Sequence, residues 1–160
     1  MHGQLSNELE VGVPATHVWE LYSTLKLAQL IKERLPYMVE KIQVIEGDGG
    51  VGTILHVTLP PGMPFGFYKE KFVEIDNENR VKVVELIEGG YLDMGFRLYR
   101  LRLEILEKDC GTSIIRSTTE YEIDDEFAAN ETLVSNQALE VIAEAAAKYL
   151  LEKKAEVCNA

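Results

Sequence analysis

The 160-residue sequence has few of the residues from which metal sites and disulfide frameworks are built. It contains two cysteines, Cys110 and Cys158, which lie far apart and outside any CxxC pattern, and three scattered histidines, His2, His17 and His56. Zinc sites need clusters of such ligands at short spacing. We therefore expect no metal and no other cofactor, and we expect both thiols to be free, as in a reducing compartment.

Positive charge is also scarce. Lys and Arg number 16 against 27 Asp and Glu, which gives a formal net charge of −11. Nucleic acids and anionic membranes attract basic surfaces, so this balance argues against both as partners. The sequence has no apolar run near the roughly 20 residues of a membrane-spanning helix, and no apolar stretch of a secretory signal follows the first residues. The expected location is cytoplasmic and the expected partner is a small molecule. Whether the protein forms a homodimer is left open.

Hydrophobic residues make up 46% of the chain, enough for the core of one domain over residues 1–160. Near the carboxyl terminus, residues 132–154 lack Gly and Pro and are rich in Ala, Leu and Glu, which predicts one long amphipathic helix. Before it, alternating patterns predict a first strand at 4–13, two short helices after Pro14, and six further strands. The six strands are expected at 39–46, 53–59, 68–75, 80–88, 96–106 and 112–123.

Strands followed by a helix indicate the α+β class, here a curved antiparallel sheet around the long helix. Period-two alternation places Leu101, Leu103 and Ile105 on the face that meets the helix. In the next strand, Ser117 and Thr119 fall on the corresponding face. Because this inner face is partly polar, the space between sheet and helix is not expected to be fully packed.

The strand at 68–75 allows two assignments. If Phe72 faces inward, then Tyr68, Glu70 and, from the next strand, Lys82 face inward as well. A carboxylate and an amine in an apolar hollow have shifted pKa values, and such pairs perform acid–base chemistry. If Val73 faces inward instead, Glu70 is one more surface charge. Alternation alone leaves both assignments open.

Residues 47–52 form a glycine-rich loop of sequence GDGGVG that lacks the Gly-Lys-Ser/Thr of a nucleotide-binding loop. We interpret it as a tight turn whose glycines adopt positive φ. A nucleotide site is not expected there.

Three stretches together carry a resemblance to a known family: the glycine loop at 47–54, the Tyr-Lys-Glu-Lys-Phe at 68–72 and the Ile-Glu-Gly-Gly-Tyr-Leu-Asp at 87–93. They resemble plant pathogenesis-related class-ten proteins, the birch-pollen-allergen superfamily, and more narrowly norcoclaurine synthases and their poppy relatives. The resemblance implies a helix-grip fold: seven antiparallel strands, two short helices after strand one, a long C-terminal helix and an internal apolar cavity.

In norcoclaurine synthases a Tyr, a Glu, a Lys and an Asp line that cavity. The resemblance carries the first three onto Tyr68, Glu70 and Lys82, which become the catalytic candidates, whereas the Asp position holds Leu101. The expected substrate-binding residues are inner-face side chains around them. These are Leu101, Phe72, Tyr99, Val57, Leu59 and Leu86.

The resemblance implies three functions. With the Asp replaced by Leu101, our leading interpretation is a cofactor-independent isomerase of alkaloid biosynthesis, of the neopinone isomerase type, in which Glu70 moves a β,γ-double bond into conjugation with a ketone. Lys82 or Tyr68 would then hold the enolate oxygen, the pattern of ketosteroid isomerase. The first alternative is norcoclaurine synthase chemistry, which joins dopamine and 4-hydroxyphenylacetaldehyde through an iminium and closes a ring. The second is a non-catalytic alkaloid carrier.

Overall fold

The computed structural model describes the backbone of residues 1–159 and the side chains of residues 1–155. Over residues 1–159 the chain forms seven strands, three α-helices and two 3₁₀ helices. The strands are β1 His2–Val11, β2 Lys41–Glu46, β3 Ile54–Thr58, β4 Phe67–Asp76, β5 Val81–Gly89, β6 Phe96–Asp109 and β7 Thr112–Ile123. The α-helices are α1 Ala15–Tyr22, α2 Lys26–Arg34 and α3 Gln137–Asn159, and the 3₁₀ helices are Gly90–Met94 and Asp125–Leu133.

The strands form one antiparallel sheet in the order β1-β7-β6-β5-β4-β3-β2. All neighbours except β1 and β7 are consecutive in the chain, so hairpins build most of the sheet. The α1–α2 segment connects β1 and β2, the two edge strands. The predicted α+β class, the seven-stranded sheet and the two short helices are confirmed.

One face of the long helix α3 packs against the sheet and α1. Ala143 and Ala146 have no exposed surface, and they belong to one core cluster with Val18, Ile105 and Ile115. Alanine carries no side chain beyond Cβ, so the helix can approach the strands closely at these two positions. Leu139 and Ile142, on the first turns of α3, contact the same cluster and also line a cavity.

The start of α3 differs from the sequence prediction. Residues 132 and 133 belong to the preceding 3₁₀ helix, and α3 begins only at Gln137. Asn136 explains the boundary: its backbone carbonyl accepts from the amide of Glu140, while its side-chain amide donates to the Ser117 carbonyl at 3.1 Å. The side chain that fixes the helix start is thus turned toward the sheet, a tertiary contact that helix propensity does not contain.

Two β-bulges interrupt the pairing of β4 with β5. Glu70 lies opposite Leu86 and Phe72 opposite Val84, but after a register shift Ile75 lies opposite Lys82. The bulge therefore lets Phe72 and Ile75 both face inward, although they are three residues apart. Of the two assignments left open by alternation, the structure has the first, with Phe72 and Glu70 on the inner face, and the bulge brings Ile75 inward as well.

The glycine loop before β3 has the expected geometry. Gly47, Gly49 and Gly52 have φ of 92°, 109° and 95°, a region that favours glycine. The Gly49 amide donates to the hydroxyl of buried Thr53 at 2.9 Å, and a Cβ at Gly49 would lie 3.1 Å from Leu25. The loop is thus a packed turn against the start of α2.

Cys110 is free and exposed, whereas the side chain of Cys158 lies outside the described residues. Within the described chain, helices of the length and apolarity needed to cross a membrane are not found.

Candidate active site

A cavity of about 470 Å³ lies between the inner face of the sheet and the helices α2 and α3. This is within the range of pockets that enclose small organic ligands. Its walls are mainly aliphatic and aromatic, with few charged groups. Strand β4 contributes Tyr68, Glu70 and Phe72, and β5 contributes Lys82, Val84 and Leu86. The internal apolar cavity that the resemblance implies is therefore present.

Glu70 presents a carboxylate to this apolar space. Its neighbours across the sheet are Leu55 on β3 and Leu86 on β5. Burial among these side chains disfavours the charged form and raises the pKa of Glu70 to about 7, against a smaller opposite effect of Lys82. Glu70 thus exchanges its proton near neutral pH, which suits a general acid or base.

Lys82 is almost fully buried on β5, with 3% of its surface exposed. Its Nζ donates a hydrogen bond of 3.0 Å to the carbonyl oxygen of Tyr22, the last residue of α1. Burial lowers the pKa of Lys82 to about 8, and the charge of Glu70 acts in the opposite direction. Most Lys82 side chains are therefore ammonium donors at neutral pH.

Glu70 and Lys82 share the cavity without pairing. Among the described residues, neither forms an ion pair, although each acts on the pKa of the other. An unpaired acid and base in one apolar space is an arrangement that stability alone does not favour, because buried charges are stabilised mainly by partners. Perturbed groups of this kind are typical of functional sites.

Three tyrosines line the wall next to Glu70. The rings of Tyr91 and Tyr99 stack at 4.1 Å, and Phe65 meets Tyr68 and Tyr91 edge-on at 6.4 Å and 5.0 Å. Burial raises the pKa of Tyr68, and the charge of Glu70 raises it further. Tyr68 is therefore a neutral phenol at physiological pH and can donate a hydrogen bond from the cavity wall.

All nine residues proposed from the sequence lie on this cavity. The side chain of Leu101 faces the cavity from β6, between its strand partners Val84 on β5 and Thr119 on β7. The structure thus brings Tyr68, Glu70, Lys82 and Leu101 together with Phe72, Tyr99, Val57, Leu59 and Leu86. Their roles in binding and catalysis remain predictions.

The cavity has further walls that the sequence analysis did not assign. Its helical side comes from α2 and α3, and part of its lining comes from the loops after α2 and after β3. Tyr91 was the residue with a signal, since it stands inside the Glu-Gly-Gly-Tyr-Leu-Asp run. The helical residues had none, because an apolar helical stripe looks the same whether it meets a core or a cavity, and the loop residues belong to no periodic pattern. They include Leu27, Ile31, Tyr37, Met63, Phe65, Ala138, Val141 and Ile142.

Comparison with known proteins identifies the family. Residues 1–153 match the pathogenesis-related protein Bet v 1 family. The chain belongs to this family. It is 51% identical over 155 residues to norbelladine synthase of Narcissus pseudonarcissus, a match that covers 96% of this chain and 95% of the relative. It is 41% identical to S-norcoclaurine synthase 2 of Papaver somniferum, over 96% of this chain and 68% of the relative.

A solved structure shows the same fold with ligands. The norcoclaurine synthase of Thalictrum flavum in complex with dopamine and hydroxybenzaldehyde is 41% identical, with a TM-score of 0.87 over 95% of this chain and 88% of that one. The Bet v 1 family chain described here thus has relatives among enzymes of alkaloid biosynthesis. The named relatives are synthases, so they favour the condensation alternative over the isomerase that led the sequence analysis.

Proposed function

We propose that this Bet v 1 family protein condenses an arylethylamine with an aromatic aldehyde and forms their imine in the cavity. The observation that carries the proposal is the placement of Glu70 and Lys82, unpaired, on the inner face of one apolar cavity. The norcoclaurine synthase complex with dopamine and hydroxybenzaldehyde supports these two substrate classes. The similarity to norbelladine synthase supports a synthase.

The first step in this mechanism is addition. An arylethylamine enters as an ammonium ion, and the Glu70 carboxylate removes one proton to free the nitrogen lone pair. The nitrogen then attacks the aldehyde carbon while the Lys82 ammonium protonates the carbonyl oxygen. The pKa of Glu70, about 7, keeps it a competent base near neutral pH, and that of Lys82, about 8, makes it a better acid than an ordinary lysine.

The second step is loss of water. Neutral Lys82 takes back a proton from the nitrogen of the adduct, and protonated Glu70 delivers its proton to the hydroxyl group. The C–O bond breaks, water leaves, and an iminium remains. Both side chains return to their starting charge, so the cycle needs no cofactor. Tyr68, a neutral phenol, can hold the oxygen during this exchange.

In this proposal Leu101 is the reason that the reaction stops at the imine and does not continue to ring closure. Ring closure on an aromatic ring requires a further proton transfer, for which norcoclaurine synthases have an Asp at the matching position. Here the position is apolar, and it faces the cavity from β6. We therefore propose that the open imine is the main product and that ring closure is slow.

The test is to mix the protein with dopamine and 4-hydroxybenzaldehyde, reduce the imine with cyanoborohydride, and follow the open-chain secondary amine by chromatography and mass spectrometry. The rate should exceed that of buffer and of the Lys82→Met variant. The same assay with 4-hydroxyphenylacetaldehyde measures ring closure. Rates equal to buffer for both aldehydes would refute a condensing enzyme.

Two outcomes would replace the proposal. Conversion of a β,γ-enone at a rate that depends on Glu70 would restore the isomerase. Tight binding of the amine or the imine, without any rate above buffer, would favour a carrier.

A further inference from the structure

Two contacts hold the ammonium group of Lys82 in place, one with a backbone carbonyl and one with an aromatic ring, and we call this pair of contacts the seat of Lys82. Its Nζ lies 3.0 Å from the carbonyl oxygen of Tyr22 and 3.7 Å from the centroid of the Phe72 ring. The carbonyl belongs to the last residue of α1, where helical carbonyls lack partners within the helix and carry the negative end of its dipole. The face of an aromatic ring also attracts a cation.

We infer that Phe72 is a positioning residue for Lys82: its ring holds the ammonium group against the end of α1, aimed to donate to the substrate oxygen. This inference rests on the proposed condensation, in which Lys82 is the acid. It gives Phe72 a role other than substrate contact.

The fold places Phe72 where it can do this. It lies two residues after Glu70 on β4, is 3% exposed, and pairs with Val84, two residues beyond Lys82 on β5. The bulge after Phe72 then shifts the register so that Lys82 lies opposite Ile75. The ring is therefore a fixed part of the sheet beneath the amine, and not a mobile side chain at the cavity mouth.

Apart from the Tyr22 carbonyl and the Phe72 ring, the described groups around Lys82 do not hold its ammonium group in place. Strand β6 offers Leu103 as its partner, and α1 offers the Tyr22 carbonyl and a phenol whose pKa is raised by burial. From β4, Glu70 is the charged group that acts on the pKa of Lys82, without an ion pair among the described residues. Without the ring, burial would act on the amine with less opposition.

Replacement of Phe72 by Leu keeps an apolar side chain but removes the aromatic face. The pKa of Lys82 should then fall by about one unit, a tenfold shift in the ratio of neutral to charged amine. Phe72→Tyr keeps the face and should keep the pKa near its wild-type value. Phe65→Leu removes another cavity aromatic, one that contacts Tyr68 and Tyr91, and should leave Lys82 unchanged.

The experiment is an NMR titration of the full chain labelled at lysine Cε, with the Lys82 signal assigned by its loss in Lys82→Met. It needs no substrate, so it reads the seat even if the protein condenses nothing. If the wild-type protein condenses its substrates but Phe72→Leu leaves the pKa of Lys82 unchanged, the seat is refuted and the condensation stands. If Phe72→Leu shifts the pKa of Lys82 but the wild-type protein condenses nothing, the seat stands and the condensation is refuted.

Kinetics separate positioning from substrate contact. If Phe72 positions Lys82, Phe72→Leu should lower kcat and move the pH profile while KM stays close to wild type. A raised KM with an unmoved Lys82 titration would mean that the ring only contacts substrate, which contradicts the inference. Should Phe72→Leu fail to fold, Phe72→Met supplies another non-aromatic side chain of similar size for the same titration.

Discussion

On the outer face of the sheet Arg100 lies between Glu85 and Glu120, at 3.9 Å and 3.8 Å, and water reaches all three. On the inner face of neighbouring strands Glu70 and Lys82 occupy one cavity, with no ion pair between them. The residue types are similar, but the surroundings differ. The outer charges are screened by water and paired, so each contributes little to the free energy of unfolding. The inner charges titrate near neutral pH because burial shifts their pKa values.

Burial, and not residue type, therefore distinguishes the inner charges from the outer ones. Buried charges lower stability, and groups with pKa values shifted in this way are typical of functional sites. The four predictions that follow test each side of this contrast.

The largest effect is expected from removing the inner charges. Glu70→Gln and Lys82→Met should each lower the rate of condensation by about 10²- to 10⁴-fold, since each removes one proton carrier. Steady-state assays of imine formation measure this.

The matched controls lie on the same strand: Glu74→Gln and Lys71→Met alter exposed residues of β4 and should keep the wild-type rate. Equal losses in the inner and outer variants would erase the contrast between the two faces.

The second prediction concerns stability against pH. The folded-state pKa of Glu70, about 7, lies above its ordinary 4.5, so the folded protein binds more protons than the unfolded chain between these values. Wild-type stability attributable to Glu70 is therefore present at low pH and lost as pH rises through this window. Relative to wild type, Glu70→Gln should gain on the order of 2–3 kcal/mol in free energy of unfolding between pH 5 and pH 8.

Urea denaturation at several pH values measures this gain. Lys82 acts in a different window, since its pKa of about 8 lies below 10.5, and wild-type stability should rise again as pH increases from 8 toward 10.5. A wild-type minus Glu70→Gln difference that is flat with pH would mean that Glu70 titrates normally and faces solvent.

The third prediction adds a charge to the inner face. Leu101→Asp places a carboxyl group in the cavity at the position where norcoclaurine synthases have one. It should lower the free energy of unfolding by about 1–3 kcal/mol, because it buries a polar group in an apolar wall. With dopamine and 4-hydroxyphenylacetaldehyde it should raise the yield of ring-closed product.

Leu101→Asn is the control, with similar shape and polarity but no proton to exchange. Equal ring closure by both variants would show that the carboxyl group at this position is not the missing proton carrier.

The smallest effect is expected on the outer face. Arg100→Ala breaks the contacts to Glu85 and Glu120 and should change the free energy of unfolding by less than about 1 kcal/mol, with unchanged activity. Thermal unfolding in low and in high salt checks it, and the small loss should shrink as salt increases. A loss as large as that expected for Leu101→Asp would contradict the view that the outer charges are screened.

Particular residues show how far prediction from sequence reached. The alternation around Leu101, Leu103 and Ile105 identified the inner face of β6, because charged neighbours made only one assignment possible. The same method left β4 undecided, since both Phe72 and Ile75 are apolar and differ in parity. The resemblance to norcoclaurine synthases decided in favour of Glu70, and the structure agrees with that assignment.

Other features of the site were not predictable from the pattern. In α3, Ala138 and Val141 line the cavity while Ala143 and Ala146 pack in the core, yet one amphipathic pattern covers all four positions. The seat of Lys82 depends on the carbonyl of Tyr22, sixty positions away in the chain, to which local sequence gives no guide.

Local sequence was enough to predict the strands, the long helix and, along strands without a bulge, which side chains share a face. Those properties depend on residues two to four positions apart, where backbone geometry fixes the relation. The bulge in β4, the open space beneath α3 and the unpaired placement of Glu70 and Lys82 in that space follow from tertiary contacts. Such properties depend on which distant segments come to lie against each other, and burial, the source of both pKa shifts, exists only after they have done so.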